Sequence, residues 1–330
     1  MTTRRAFTQT VVGATAALAV TRCAPGDKPA ARTRQAEPLA GHFHPKGKAP
    51  SEFTREILEQ ARATFPFDDD RDFEEVGKGF IAPMKELQIM ADAGHVAWDM
   101  EAFQFLDEEG DFDSIHPSLT RISRLNQNYG LYEVMPGIYQ VRGFDLSDIT
   151  FVRGSTGWIV FDPLISAEVV RAAWSLFQEH VGEGLPVSAV IYSHSHADHW
   201  GGVRGIIDDE DVASGRVEVI APRDFMEHTI SENVFAGTAM NRRLFYQYGL
   251  LLPVGQHGYV GQGLGQNTSG GAVGLIAPTR IVEDDIEEMV VDGVRMLNPG
   301  SPTDKRWAPT HSIGILRLGA DVDFEVIPLD

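Results

Sequence analysis

The sequence predicts an α/β fold, an αββα sandwich in which helices cover two packed layers of β-strands. Short apolar runs alternate with amphipathic helical segments between residues 131 and 249, and β-type runs recur between residues 273 and 297. A segment rich in metal-binding side chains also follows the apolar run Val187–Tyr192, where a strand would end. These observations place a candidate site at the carboxyl end of a central strand.

Length and composition divide the chain into four parts. Its 330 residues are enough for one large domain or two ordinary ones. We predict a twin-arginine-type signal peptide at residues 1–30 and a linker rich in Ala, Pro and Gly at residues 31–50. A helical N-terminal extension is expected at residues 51–130 and the sandwich domain at residues 131–330.

The N-terminus carries the two features of a twin-arginine export signal, the pair Arg4-Arg5 and the apolar stretch Val11–Val20. This stretch is about half the length of a membrane-spanning helix, so we expect no membrane span and a periplasmic destination. Cys23 is the only cysteine, which excludes an intrachain disulfide. Lipoprotein anchoring at Cys23 is disfavoured because Arg22 precedes it. A disordered basic N-terminus is the alternative.

The overall charge restricts the classes of partner. The formal net charge is −19 at pH 7, which argues against a nucleic-acid partner because nucleic-acid binding calls for a basic surface. This charge does not attract an anionic substrate either, so an anion site would have to be locally positive.

Two helices and a loop are predicted in the N-terminal extension. Ser51 is a good N-cap residue and apolar residues follow it at four-residue spacing, so a helix is expected to end near Ala63. The acidic run at residues 68–75 is predicted to be a solvated loop, because it lacks the spacing of a calcium-binding EF-hand. Residues 117–128 are predicted to form a second helix.

The sandwich domain shows short β-type runs separated by turns, together with helical segments. Strands are predicted at Gly137–Arg142, Ile149–Arg153, Trp158–Phe161, Val187–Tyr192, Val217–Ala221, Val273–Ala277, Arg280–Glu283, Glu288–Val291 and Val294–Leu297. Helices are predicted at Ala167–His180, Gly201–Ile207, Asp224–Ile230 and Thr238–Gly249, and Pro222 is expected to open the third of these.

Four side chains of metal-ligand type follow the strand Val187–Tyr192 within six residues. His194 and His196 are two residues apart, so both rings would point the same way from an extended chain, and Asp198 and His199 follow at the turn. One metal ion could be held by the first two histidines and a second by Asp198 and His199, and Zn, Fe and Mn all suit these donors. A polar turn with incidental histidines is the alternative, which the density of the cluster disfavours.

The motif from His194 to His199 resembles the H-x-H-x-D-H signature of the metallo-β-lactamase superfamily. Flanking segments resemble the bacterial alkyl sulfatases of that superfamily, namely Ile138–Ser147, Gly157–Ser166 and Ser231–Arg243. The likeness extends from about Trp98 to about Gly300.

This resemblance implies a metallo-β-lactamase-like fold with two zinc ions held by His194, His196, Asp198 and His199. It also implies hydrolysis of alkyl sulfate esters, such as dodecyl sulfate, to an alcohol and inorganic sulfate. Asp198 and His199 would be the catalytic residues, and Asp162 would support the metal-binding segment through hydrogen bonds, with a simple turn-forming role as its alternative. Members of the family form homodimers, but their dimerisation segment has no counterpart in this chain.

Arg242, Arg243 and Tyr246 are predicted to bind the substrate. They lie within a dense apolar and aromatic segment that runs from Phe235 to Leu252. A long alkyl sulfate needs an apolar surface beside a locally positive sulfate site, and this segment has both ingredients. The alternative is a core helix with an exposed basic pair.

The chain departs from the family pattern near Gly300. There the family has a Pro-Gly-Thr-Glu-Ala-Pro segment whose glutamate is a metal ligand, with a glutamate and a histidine ligand later on, whereas this chain reads Pro-Gly-Ser-Pro-Thr-Asp. The remaining side chains of the tail that could bind a metal are Asp304, His311, Asp321, Asp323 and Glu325. We therefore expect a sandwich that is incomplete at its C-terminal end, and metal ions that each lack at least one protein donor.

Two alternative functions stay open at this point. Another hydrolase of the superfamily, acting on a lactone, a phosphodiester or a thioester, would share the metal motif. The second alternative is that this chain is a truncated or divergent family member, which binds metal weakly and is inactive. The segment after Gly300, which does not match the family, favours this hypothesis.

The export hypothesis predicts the effect of a charge-conserving change. Changing Arg4 and Arg5 to Lys should retain a tagged protein in the cytoplasm, because twin-arginine recognition requires the guanidinium pair and not charge alone. Cell fractionation measures this directly. Normal periplasmic arrival of the Lys-Lys variant would contradict the hypothesis.

Overall fold

The structure is a computed structural model that describes residues 50–110, 112–283, 288–297, 310–318 and 322–329. The predicted signal peptide, the predicted linker up to residue 49, Asp304 and Asp321 lie outside these residues. Within the described ranges, no helix has the length and apolar character needed to cross a membrane.

Helices and strands of the described residues follow one another along the chain in a mixed α/β order. The α-helices are α1 Glu52–Thr64, α2 Arg71–Val76, α3 Pro117–Leu125, α4 Ala167–His180, α5 Asp209–Ala213, α6 Phe225–Ile230 and α7 Gly237–Gln247. The strands are β1 Phe80–Ala82, β2 Gln88–Met90, β3 Val96–Asp99, β4 Gly130–Met135, β5 Ile138–Arg142, β6 Ile149–Arg153, β7 Trp158–Phe161, β8 Val187–Ile191, β9 Glu218–Pro222, β10 Arg280–Val282, β11 Met289–Val291, β12 Val294–Met296, β13 His311–Leu318 and β14 Val322–Leu329.

One mixed eight-stranded sheet forms the centre of the fold, in the order β1-β4-β5-β6-β7-β8-β9-β10. Neighbouring strands from β1 to β7 run antiparallel, whereas β7, β8, β9 and β10 run parallel. The carboxyl ends of parallel strands meet at one edge of a sheet, where open α/β folds place their ligands. Here the ends of β7 and β8 carry the candidate site.

The sheet is covered on both faces, as a layered α/β fold requires. On one face α4 packs through Phe177, whose ring stacks on Phe151 at a centroid distance of 4.1 Å and meets Trp158 edge-on at 4.7 Å. On the opposite face the two-stranded pair β11–β12 packs through Val291 against Ile159. Successive residues of β7 therefore serve opposite layers, which explains its uninterrupted apolar sequence.

Several predicted elements are confirmed in the central part of the chain. β6, β7 and α4 begin and end at the predicted residues. Ser51 caps α1 as expected, since its Oγ accepts a hydrogen bond from Thr54 N at 3.1 Å.

Four details of the prediction were wrong. The acidic run at residues 68–75 contains α2, and Gly201–Ile207 contains only a 3₁₀ turn over Val203–Gly205. Pro222 ends β9 instead of opening α6, because it pairs with Val282 of β10 as the last residue of the strand. Residues 273–277 form no strand, since Gly274 N donates to Gly201 O at 2.7 Å rather than to a neighbouring strand.

Gly202 allows the chain after the histidine cluster to pass directly beneath the loop between β7 and α4. Its N–H donates to Pro163 O at 3.1 Å and to Leu164 O at 3.0 Å. A Cβ atom on Gly202 would lie 2.4 Å from Val170 Cγ2 and 2.5 Å from Pro163 O. Glycine is therefore required at position 202, because two backbone segments approach each other closely. The same close approach prevents a regular helix here.

The same contacts predict a stability loss in a Gly202→Ala variant. The added methyl group would push two backbone segments apart, so the free energy of unfolding should fall by about 1–3 kcal/mol. Urea denaturation measures the change. Gly237→Ala is the matched control, because a Cβ there meets nothing within 4 Å; equal stability of both variants would contradict the packing argument.

Candidate metal centre

The candidate site lies where β7 and β8 end. We call residues Ser193–His199 the metal loop. Just before it, Tyr192 is buried, and its hydroxyl donates to Ile276 O at 3.2 Å while its ring stacks on Phe225 of α6 at 5.1 Å. This anchor fixes the point from which the metal loop leaves the sheet.

The three histidine rings of the metal loop converge. The ring centroids of His194 and His196 are 4.7 Å apart, and those of His194 and His199 are 3.9 Å apart. A 3₁₀ turn over Ala197–His199 brings the last ring back toward the first. The sequence spacing therefore places all three imidazoles on one side of the loop.

Asp162 joins the metal loop to the end of β7. Its Oδ1 accepts a hydrogen bond from Ser193 N at 2.8 Å, and its Oδ2 accepts one from Ser193 Oγ at 2.7 Å. The same Oδ2 lies 2.9 Å from His199 Nδ1. Asp162 has a φ of +53°, a left-handed conformation that is uncommon for residues other than glycine.

His199 is oriented to bind a metal ion through Nε2. A histidine that donates one ring N–H to a carboxylate presents its other nitrogen as a ligand, and Asp162 occupies the Nδ1 side. Asp198 Oδ2 lies 3.1 Å from His199 Nε2. Two donors bound to one tetrahedral zinc ion, each about 2.1 Å from it, are roughly 3.4 Å apart. The Asp198–His199 pair therefore fits a single divalent ion.

The two carboxylates also control the protonation of His199. Burial alone would lower the pKa of His199, but the close carboxylates of Asp162 and Asp198 outweigh burial and raise the pKa to about 9. Burial would raise the pKa of Asp198, and its close contact with His199 more than compensates, so that pKa is lowered. A metal ion would therefore have to displace the proton on Nε2 before it could bind.

The described residues offer two donors for each of two ions. Among them, no three His, Cys, Asp or Glu side chains direct their donor atoms at one point. Of the candidates in the tail, Asp323 and Glu325 form ion pairs with Arg317 at 2.9 and 2.7 Å on the hairpin β13–β14. His311 lies in the same hairpin, opposite Leu329.

The predicted substrate-binding residues lie on α7, which contains no buried residue. Arg242 and Arg243 are exposed, and Tyr246 is 78% exposed. The alternative of a core helix is therefore wrong: this apolar segment lies on the surface.

One contact of the metal loop has no signal in the sequence. Ser195, between the first two histidines, donates from Oγ to Glu232 Oε2 at 3.1 Å and accepts at its carbonyl from Trp200 Nε1 at 2.8 Å. Glu232 lies in a π-helical segment, Ser231–Phe235, between α6 and α7. No local pattern signals this contact, because it joins segments 37 residues apart.

Comparisons with known proteins agree with this geometry. A family model described as "Metallo-beta-lactamase superfamily" matches residues 142–312. The chain is 49% identical over 240 residues to a "Linear primary-alkylsulfatase" of Pseudomonas sp and 44% identical over 239 residues to the "Alkyl/aryl-sulfatase BDS1" of Saccharomyces cerevisiae. Each match covers 72% of this chain but only 36% and 37% of those relatives.

A solved structure resembles this fold as well. It is the stereoselective inverting sec-alkylsulfatase Pisa1 of Pseudomonas sp., at 41% identity and a TM-score of 0.71. The likeness covers 86% of this chain and 42% of that protein. This chain thus spans well under half the length of the alkylsulfatases that it matches.

The protonation of His199 predicts how the stability of the metal-free protein depends on pH. Its folded-state pKa of about 9 exceeds the ordinary value of 6.5, so the folded protein binds more protons between these values and loses stability as pH rises through them. We expect a loss of about 2 kcal/mol between pH 6.5 and 9.

Urea denaturation in the presence of a chelator measures this loss. A His199→Gln variant should lose much less over the same range, and His180→Gln, at an exposed site on α4, should behave like the wild type. A wild-type stability that stays constant from pH 6.5 to 9 would contradict the assigned contacts.

Proposed function

Because the chain belongs to the metallo-beta-lactamase superfamily, we propose that it is a zinc-dependent alkyl sulfatase, which hydrolyses alkyl sulfate esters to an alcohol and inorganic sulfate. One observation carries the proposal: the metal loop contacts Glu232 in the π-helical turn just before α7, and α7 exposes apolar side chains and two arginines. The similarity to alkylsulfatases supports the substrate class.

The residues of the metal loop have distinct roles in this proposal. His194 and His196 would hold one ion, and Asp198 and His199 the other. Bound zinc would supply a Lewis acid toward a sulfate oxygen and lower the pKa of a water molecule to about 7. Asp162 holds the His199 ring by its Nδ1 side and holds Ser193 by two hydrogen bonds. It thereby orients a ligand without binding the metal itself.

The proposed reaction consumes one water molecule. An alkyl sulfate and water give an alcohol and hydrogen sulfate, so no oxidant, reductant or further cofactor is required. Attack at sulfur breaks the S–O bond and attack at carbon breaks the C–O bond, and both routes have the same overall balance.

The surface around α7 suits the two ends of such a substrate. Large apolar side chains of this segment are between 40% and 86% exposed, namely Val234, Phe235, Met240, Phe245, Tyr246, Leu251 and Leu252. Large exposed apolar patches often mark binding sites, and these side chains lie close together along the sequence. Arg242 and Arg243 provide local positive charge in a chain whose net charge is −19. An alkyl chain can therefore lie on the apolar side chains while its sulfate group lies near the guanidinium groups.

The proposal extends to location and assembly. Arg4 and Arg5 with the apolar stretch after them support export to the periplasm. The resemblance to alkyl sulfatases implies a homodimer.

The function is tested with three substrates of different chemistry. Zinc-loaded protein should release sulfate from dodecyl sulfate faster than it opens a lactone or cleaves bis-nitrophenyl phosphate. We expect slow turnover, because the described residues supply only two donors per ion and a catalytic zinc normally has three. A preference for the lactone or the phosphodiester would contradict the proposal and would instead indicate another hydrolase activity of the superfamily.

The assignment of the arginines makes a separate prediction. Changing Arg242 and Arg243 together to Ala should raise the KM for dodecyl sulfate at least roughly tenfold, since even one hydrogen bond to a charged group contributes about 1.5–3 kcal/mol. Arg62→Ala, at an exposed arginine of α1, is the control and should leave KM unchanged. An unchanged KM in the double variant would remove both arginines from the substrate site.

A further inference from the structure

We propose that Glu232 is a positioning residue that acts through Ser195 to hold His194 and His196 in their metal-binding arrangement. The inference rests on the proposed function only in that the metal loop binds a divalent ion. Glu232 lies outside the H-x-H-x-D-H motif and has no role in the ligand set described above.

Ser195 is the point at which the two histidines can be held together. It lies between them and is 7% exposed. Its hydroxyl donates to Glu232 and its carbonyl accepts from Trp200. The hydrogen bonds made by the Ser195 hydroxyl and the Ser195 carbonyl thus hold the backbone between the two histidines.

Glu232 is placed at this point by an unusual helix geometry. The π-helical segment Ser231–Phe235 interrupts the helical run between α6 and α7. Such π-helical turns are rare and occur frequently at functional sites. The segment is held locally by Asn233 Nδ2, which donates to Thr229 O at 2.9 Å, with Thr229 buried. The π-helical turn is wider than an α-helical turn, which is consistent with the Glu232 carboxylate reaching Ser195 of the metal loop.

The contact is one of two that dock this helical run on the end of β8. Tyr192 stacks on Phe225 at the start of α6, and Ser195 donates a hydrogen bond to Glu232 in the π-helical turn that follows α6. The metal loop begins between these two contacts, so the angle at which it leaves the strand is fixed on both sides. Loss of the second contact would leave the first intact and remove the hydrogen bond that restrains Ser195, the residue between the two histidines.

This role predicts a specific pattern of zinc affinities. Ser195→Ala and Glu232→Ala should each weaken zinc binding roughly tenfold, the size of effect seen when groups that orient metal ligands are removed. The double variant should be no weaker than either single variant, because both changes remove one shared hydrogen bond. Glu232→Gln keeps an acceptor for the serine hydroxyl and should bind zinc within about threefold of the wild type.

Competition with a chromophoric chelator measures these affinities without any need for catalysis. Glu227→Ala, which removes an exposed carboxylate from α6, is the matched control and should leave zinc affinity unchanged. Cobalt(II) in place of zinc adds a spectroscopic readout: Ser195→Ala and Glu232→Ala should shift the visible absorption bands, whereas Glu232→Gln should not.

Several results would overturn the inference. They are wild-type zinc affinity in Ser195→Ala or Glu232→Ala, additive losses in the double variant, or a Glu232→Gln variant as weak as Glu232→Ala. If Glu232→Ala does not fold in urea-denaturation experiments, Ser195→Ala, which removes a single hydroxyl, decides the question. Absence of dodecyl sulfate hydrolysis together with the expected affinity pattern would refute the proposed function and leave this inference in place.

Discussion

The carboxylate of Asp162 is the constraint on which the site depends. It receives hydrogen bonds from the backbone and hydroxyl of Ser193 and contacts the Nδ1 side of His199, so one side chain fixes both the start and the end of the metal loop. The left-handed backbone of Asp162 shows that the surrounding structure holds this residue in an unfavourable conformation. The parallel pairing of β7 with β8 brings Asp162 to within reach of the loop.

The same arrangement links protonation to metal binding. Between two carboxylates, the metal-free protein stabilises a proton on His199, and a divalent ion would take over the role of that positive charge. The two carboxylates beside His199 therefore dominate the charge of the site, although the motif is rich in histidine. Glu232 adds a third carboxylate, which accepts a hydrogen bond from Ser195 and in our proposal positions the loop without binding the ion.

The local sequence was sufficient for the parts of the fold that depend on short-range pattern. The apolar runs of β6 and β7, the amphipathic period of α4 and the spacing of His194 and His196 all predicted what the structure contains, and the metallo-β-lactamase-like α/β fold is confirmed. The remainder depends on contacts between distant segments. The contact of Ser195 with Glu232 spans 37 residues, and the helix predicted after the motif is prevented by the close packing of Gly202 on another loop.

The central claim is that the segment after β8 binds a divalent metal through its histidines, and metal content tests it most directly. Protein incubated with zinc and desalted should retain metal, at fewer than two ions per chain because the described residues give each ion two donors. Changing His194 and His196 together to Ala should abolish retention, whereas His180→Ala should not. Equal zinc content in the wild type and the double variant would contradict the account.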